Sequence, residues 1–124
     1  MPIELEADYL VIGAGATGLA FTDEIIRGTS RRTVVIVDEQ ATPGGHWNHA
    51  YPFVTLHQPA VYYGVNSTPL GRGGDDLVSK PELLGYFMRV TKSLVDTQRV
   101  DYLPQSRYVG DGRVTSLVNP AVEY

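Results

Sequence analysis

One short stretch constrains the fold of this chain more than any other: an apolar run, Tyr9 to Ile12, that leads into a loop with three glycines. The loop has the spacing G-x-G-x-x-G, and a helical pattern opens within it. A continuous apolar run is typical of a parallel strand that is buried on both faces. The stretch therefore predicts a strand, a tight turn and a helix.

Each glycine of the loop has a physical role in such a turn. Gly13 permits the sharp exit from the strand, Gly15 lets a pyrophosphate approach the backbone, and Gly18 lets the helix pack close to the strand. Phosphates would then accept hydrogen bonds at the helix N-terminus, where the macrodipole carries about half a positive charge. With Ala16 and Thr17, the loop is a candidate dinucleotide site; a plain glycine-rich turn is the alternative.

The helix is expected from about Gly15 to Arg27, with Gly28 as the residue that ends it. Its predicted apolar face consists of Leu19, Thr22, Ile25 and Ile26. A second all-apolar strand follows over residues 33–38. Strand, helix and strand together predict a βαβ unit over residues 8–38.

The second strand ends in an acid, Asp38, twenty residues after Gly18. A carboxylate at this place can accept hydrogen bonds from both hydroxyls of an adenosine ribose, and Glu39 is the second candidate. Two acids would repel a ribose 2′-phosphate. Arg31 and Arg32 lie at the other end of the strand, where they could not neutralise one.

Residues 39–80 form an unusually long connection, which predicts a functional loop on the cofactor side. It contains the run Pro43-Gly44-Gly45-His46-Trp47, just beyond the carboxyl end of the second strand, where open α/β sheets bind ligands. The two glycines leave room for a flat cofactor and Trp47 could flank it. A turn followed by a core tryptophan is the alternative. Tyr62 and Tyr63 cover the cofactor or, more simply, pack the loop.

The remainder predicts a helix, a strand and a hairpin over residues 81–118. Ser79 and Glu82 form a capping box with Pro81 in the first turn. The expected core face of the helix is Leu84, Phe87, Met88, Thr91, Leu94 and Val95. A third strand over 99–103 and a hairpin over 107–118 follow. The fold class is therefore α/β, with a Rossmann-like parallel sheet and a small antiparallel hairpin, in one partial domain over residues 1–124.

Composition excludes several classes of function. The net charge of −4 with no basic stripe argues against nucleic acid, and the absence of cysteine excludes disulfides. The acidic N-terminus and the lack of a long apolar run predict a cytoplasmic protein without membrane contact. His46, His49 and His57 are expected to be ordinary loop histidines, since no motif supplies further metal ligands and a helix is not expected there.

These motifs together resemble the N-terminal end of FAD-dependent oxidoreductases with two dinucleotide-binding domains, most closely the flavin-containing monooxygenase group. In that group an acid, five residues and G-G-x-W complete the FAD site, a spacing that Asp38 and Gly44 to Trp47 reproduce. The resemblance implies that FAD is the cofactor. It places the pyrophosphate at the loop glycines, the ribose at Asp38, and Gly44, Gly45, His46 and Trp47 towards the flavin half.

The chain departs from the group because it has neither a second G-x-G-x-x-G for NAD(P)H nor the later acidic FAD motif. We therefore expect an N-terminal portion without activity of its own, in which the first strand is an apolar sheet edge that pairs with a second copy or a complementary chain. No catalytic residue stands out. The alternatives are an NAD-binding dehydrogenase domain, a thiazole-synthase-like nucleotide binder, or a non-catalytic nucleotide-binding module.

Overall fold

The computed structural model describes residues 2–49, 64–71 and 78–124, except for the side chain of His46. The predicted α/β architecture is confirmed. The elements in chain order are β1 (Tyr9–Ile12), α1 (Ala16–Gly28), β2 (Val34–Val37), a 3-10 helix (Gly45–His49), α2 (Lys80–Val95), β3 (Val100–Leu103), β4 (Ser106–Gly110) and β5 (Arg113–Ser116). The predicted roles of His57, Tyr62 and Tyr63 fall outside the described residues.

The first three strands form a parallel sheet in the order β1-β2-β3, and β4 and β5 form a separate antiparallel pair. All four residues of β2 are buried, because neighbours cover both faces of this central strand. Val34 and Ile36 belong to the large core that includes both α-helices, whereas Val35 and Val37 pack with Val114 of the hairpin. This alternation follows from the two-residue period of a strand.

Strand β1 differs from the prediction of burial on both faces. Leu10 is 42% exposed and Ile12 is 63% exposed. The reason is its place in the sheet: within the described part of the chain, β1 pairs with β2 alone, and its other edge has no strand beside it. The expectation of an apolar edge at β1 is confirmed.

Helix α2 begins as its capping signal predicts. The Ser79 hydroxyl accepts a hydrogen bond from the Glu82 N–H at 3.4 Å and donates to the Glu82 carboxylate at 3.1 Å. The predicted core face was wrong in part, because Met88 is 52% exposed and Val95 is also exposed. The buried face is shifted by about one residue towards the N-terminus of the helix. It consists of Leu83, Tyr86, Phe87, Val90, Thr91 and Leu94.

The end of α1 also differs from the prediction. Gly28 is the last helical residue rather than the residue beyond the helix, and the N–H of Thr29 donates to the Ile25 carbonyl at 3.1 Å. The helix end is completed by Arg99, whose guanidinium donates to the Ile26 carbonyl at 2.9 Å and to the Thr29 carbonyl at 3.0 Å. A cation at this end also complements the negative pole of the helix.

Two buried polar side chains, Asp23 and Tyr86, hold part of the long connection. The Asp23 carboxylate accepts hydrogen bonds from the hydroxyl of Ser67 and, at 3.1 Å, from its N–H. The Tyr86 hydroxyl accepts from the Val65 N–H at 2.7 Å and donates to the Thr68 carbonyl. Sequence patterns had not identified either role.

The described helices do not include one that could span a membrane, since none combines the necessary length with an apolar composition.

Candidate dinucleotide-binding site

The glycine loop adopts the turn that its sequence predicts. Gly13 has φ +109°, in the region that favours glycine, and its N–H donates to the Val37 carbonyl at 2.7 Å. A Cβ on Gly18 would overlap the Gly13 carbonyl oxygen and lie 3.2 Å from Cγ1 of Val11. The helix therefore packs against the strand at a distance that only glycine permits.

The N-terminus of α1 is built to receive a negative charge. Gly15 is the N-cap, and Ala16, Thr17 and Gly18 form the first turn, whose N–H groups have no partner inside the helix. The first turn holds no acidic side chain that would neutralise the positive pole. These groups can donate hydrogen bonds to a phosphate.

A second pair of glycines docks on this loop. The Gly44 N–H donates to the Ala14 carbonyl at 2.8 Å, and Gly45 lies against Gly15. Both have positive φ, +133° at Gly44 and +56° at Gly45. A Cβ on Gly44 would lie 2.5 Å from Cδ2 of Leu84. The run after Asp38 is thus packed directly on the G-x-G-x-x-G loop, which the spacing alone had not shown.

The 3-10 helix that follows corrects the expectation that no helix forms around His46 and His49. Asn48 fixes this turn: it accepts from the Thr42 hydroxyl at 2.8 Å and donates to the Thr42 and Gly45 carbonyls at 3.1 Å each. Trp47 is buried and belongs to the large core. Its side chain is therefore held in the protein core.

Asp38 lies at the carboxyl end of β2, where the sequence places it, and is only 9% exposed. Its Oδ2 atom is buried and has no hydrogen-bond partner among the described residues. Burial raises the pKa of the Asp38 carboxyl, and the backbone N–H groups of Gln40, Glu39 and Ala14 offset part of that rise. A buried acceptor without a partner is costly, and a ligand hydroxyl would satisfy it.

A neighbouring side chain, Tyr102 of β3, shares this property. Its hydroxyl is buried without a partner among the described residues. Burial, together with the charge of Asp38, raises the pKa of Tyr102 to about 12. The hydroxyl therefore stays protonated and can donate a hydrogen bond.

A pocket of 190 Å³ opens beside Asp38 at the carboxyl ends of β1 and β2. Its lining comprises Ile12, Gly13, Val37, Asp38, Glu39, Ser106, Arg107 and Tyr108. Strand β4 thus brings three residues to the acid that no sequence signal had assigned to the site. Arg107 lies against Glu39, with Nη2 2.7 Å from Oε1 and Nε donating to the same oxygen at 2.8 Å. Arg32, by contrast, pairs with Asp8 before β1, away from the pocket, as expected.

The described residues contain no group of three or more His, Asp or Glu side chains that could hold a metal ion. The imidazole of His46 is outside the described atoms.

Comparisons with known proteins agree with this geometry. Residues 11–67 match the NAD(P)-binding Rossmann-like domain family. An uncharacterized protein of Mycobacterium tuberculosis is 51% identical over an alignment that covers 91% of this chain and 23% of that protein. The chain thus spans less than a quarter of the length of this relative.

Two solved structures are similar in fold. A flavin-containing monooxygenase from Stenotrophomonas maltophilia is 24% identical, with a TM-score of 0.69 over 94% of this chain and 36% of that one. The structure of OTEMO in complex with FAD and NADP is 23% identical, with a TM-score of 0.60 over 85% of this chain and 20% of that one. The fold is Rossmann-like, in agreement with that family model and with these structures. The predicted resemblance to flavin monooxygenases and related FAD/NAD(P) oxidoreductases is confirmed.

Proposed function

We propose that this chain is the FAD-binding N-terminal portion of a flavin-dependent oxidoreductase of the monooxygenase type. The observation that carries the proposal is the buried Oδ2 of Asp38, which has no partner in the described structure and belongs to a residue that lines a pocket. The ribose of FAD offers hydroxyl donors for such an acceptor. An adenosine ribose with a free 2′-hydroxyl therefore fits the residues present.

The other proposed contacts follow from the two glycine runs. Gly13, Gly15, Ala16, Thr17 and Gly18 would hold the pyrophosphate, through the N–H groups of the first turn of α1. The run from Gly44 to Trp47, which includes His46, packs on this loop and would lie towards the flavin, with Glu39 near the adenosine. FAD, when bound, supplies the capacity to accept and pass on electrons. The residues of this chain bind and orient it.

A titration of ADP onto the wild type and Asp38→Ala tests the proposal. We expect the variant to bind 10- to 100-fold more weakly, because a charge-assisted hydrogen bond contributes about 1.5–3 kcal/mol. Asp101→Ala removes an exposed carboxylate from β3 and is the matched control. Equal affinities of wild type and Asp38→Ala would remove Asp38 from the site.

The phosphate position has its own test. Gly15→Val puts a branched side chain at the N-cap of α1, where the pyrophosphate would lie, and should abolish the thermal stabilisation by FAD. Because the Gly15 Cβ position is also 3.5 Å from Cα of Gly45, the melting temperature without ligand must be measured too. A folded variant that FAD still stabilises would place the phosphates elsewhere.

The electron donor and the partner are further parts of this proposal. NAD(P)H would bind a region outside this chain, so the chain with added FAD should not oxidise NADPH. The exposed apolar edge of β1 supports pairing with a second copy or a complementary polypeptide. Ile12→Lys should then lower the apparent mass in light scattering, whereas Met88→Lys, on the exposed side of α2, should not. A monodisperse monomer that oxidises NADPH would contradict this part.

A cytoplasmic location belongs to the same proposal, and fractionation of cells that express the tagged chain tests it.

A further inference from the structure

We propose that Glu39 and Arg107 act together as a specificity pair that keeps nucleotides with a ribose 2′-phosphate out of the site. This inference rests on the proposed function, because it takes Asp38 as the acceptor for the ribose. It concerns the adenosine end of the ligand, and it adds Arg107, from the β4 strand, to the residues that decide which dinucleotide is admitted.

The pair lies where the 2′-substituent of a ribose bound to Asp38 would be located. Glu39 directly follows Asp38, and both line the same pocket as Arg107. These three are the only charged side chains among the eight residues of that lining. Two carboxylates and one guanidinium leave the pocket with a net negative charge, which opposes a phosphate dianion and tolerates a neutral hydroxyl.

Arg107 by itself would have the opposite effect. A guanidinium presents a fork of N–H donors that matches a phosphate group. Here the Nε and Nη2 atoms lie 2.8 Å and 2.7 Å from one oxygen of Glu39. A phosphate that approached this guanidinium would have to displace the Glu39 carboxylate or lie beside it, and in either case the carboxylate would repel it.

The ion pair itself contributes little to folding. The side chains of Arg107 and Glu39 are 59% and 54% exposed, and exposed pairs contribute little to stability. The pair lies in the pocket and joins the end of β2 to β4 of the hairpin. We therefore assign it to ligand recognition rather than to stability.

Such discrimination has a purpose in the proposed enzyme. FAD carries a 2′-hydroxyl on its adenosine, whereas NADPH, a possible electron donor, carries a 2′-phosphate. A site that repels the 2′-phosphate stays available for FAD when NADPH is present in the same solution.

The test compares two probes that differ only in the 2′-phosphate, ADP-ribose and 2′-phospho-ADP-ribose, by calorimetric titration onto the 124-residue chain. The wild type should prefer ADP-ribose. Glu39→Gln should reduce that preference about tenfold, because it releases Arg107 to the phosphate. In Arg107→Gln the preference should increase, because Glu39 loses its counter-charge, and in the double variant, which has the same net charge in the pocket as the wild type, it should return close to the wild-type value.

The outcomes separate this inference from the proposed function. Retained binding of ADP-ribose with an unchanged preference in Glu39→Gln would overturn the specificity pair alone. A gain of 2′-phosphate binding that persists in the double variant would overturn the role of Arg107. Failure of the folded wild type to bind ADP-ribose at all would overturn the proposed function, and the inference with it.

Discussion

Gly15 and Gly45 face each other across the site, so closely that a Cβ on Gly45 would lie 3.1 Å from Cα of Gly15. The contact joins the G-x-G-x-x-G loop to the run that follows Asp38. The two glycine signals of the sequence are therefore one structural unit, and the contact leaves little room for a side chain on Gly45.

The first prediction follows from this contact. Gly45→Ala should destabilise the protein by about 1–3 kcal/mol, because the new Cβ is crowded and the backbone has φ +56°. Gly85→Ala is the matched control, since it lies within α2, has no positive φ, and its Cβ would meet only Arg89 Nη1 at 3.5 Å. Urea unfolding of both variants is the measurement. We expect Gly85→Ala to be neutral or more stable than the wild type, and equal losses would contradict the argument.

The second prediction concerns Asp38 and pH. Its folded pKa is raised above the usual 3.8, so the protonated form is favoured by folding, and this stability is lost as pH rises through the folded pKa. At pH 7 the buried carboxylate therefore costs stability, and Asp38→Asn should have a higher melting temperature than the wild type. The difference should shrink as pH falls towards 3.8. If Asp38→Asn were less stable than the wild type at pH 7, the buried carboxylate would not destabilise the folded protein.

The third prediction is the functional counterpart of the second. If Asp38 accepts the ribose hydroxyls, its ionised form is the one that binds. Because the pKa of this carboxyl is raised, the affinity for ADP should begin to fall at a pH above 3.8. Titrations at several pH values would show this, with Asp38→Asn as the reference whose affinity lacks this fall.

The fourth prediction concerns the clamp on the long connection. Tyr86→Phe removes the acceptor of the Val65 N–H and the donor to the Thr68 carbonyl, and should cost about 1–3 kcal/mol, because buried backbone groups lose their partner. Tyr9→Phe, at the exposed edge of the sheet, is the control. Hydrogen exchange should show the Val65 amide less protected in Tyr86→Phe, and unchanged protection would mean that another group replaces the hydroxyl.

The sequence predicted the fold where the pattern is local. Turn, helix and strand follow from Gly13 to Asp38 because glycine sterics and the period of apolar residues act over a few positions. The capping residue Ser79 was found for the same reason. The burial of β1 was mispredicted because an apolar run shows what a strand can pack against, and its neighbours in the sheet decide how much of it is covered.

The sequence predicted the residues of the candidate site that belong to a local motif, and it missed those that distant parts of the chain contribute. The loop glycines and Asp38 carry their own spacing signal, whereas Arg107 reaches Glu39 from 68 residues away and no local pattern connects them. Asp23 was missed because a charged residue on a helix is expected to be exposed, and only the tertiary structure brings Ser67 to it. Roles that depend on such distant partners need coordinates.

Arg99 ties the end of α1 to a distant part of the chain. The carbonyls at the end of α1 receive their donors from a residue 70 or more positions later, at the start of the third strand. A peptide of residues 8–38 would therefore contain the entire glycine motif and lack the side chain that caps the end of its helix. We expect the helix to be firmly held against the G-x-G-x-x-G loop only when the polypeptide extends at least to Arg99.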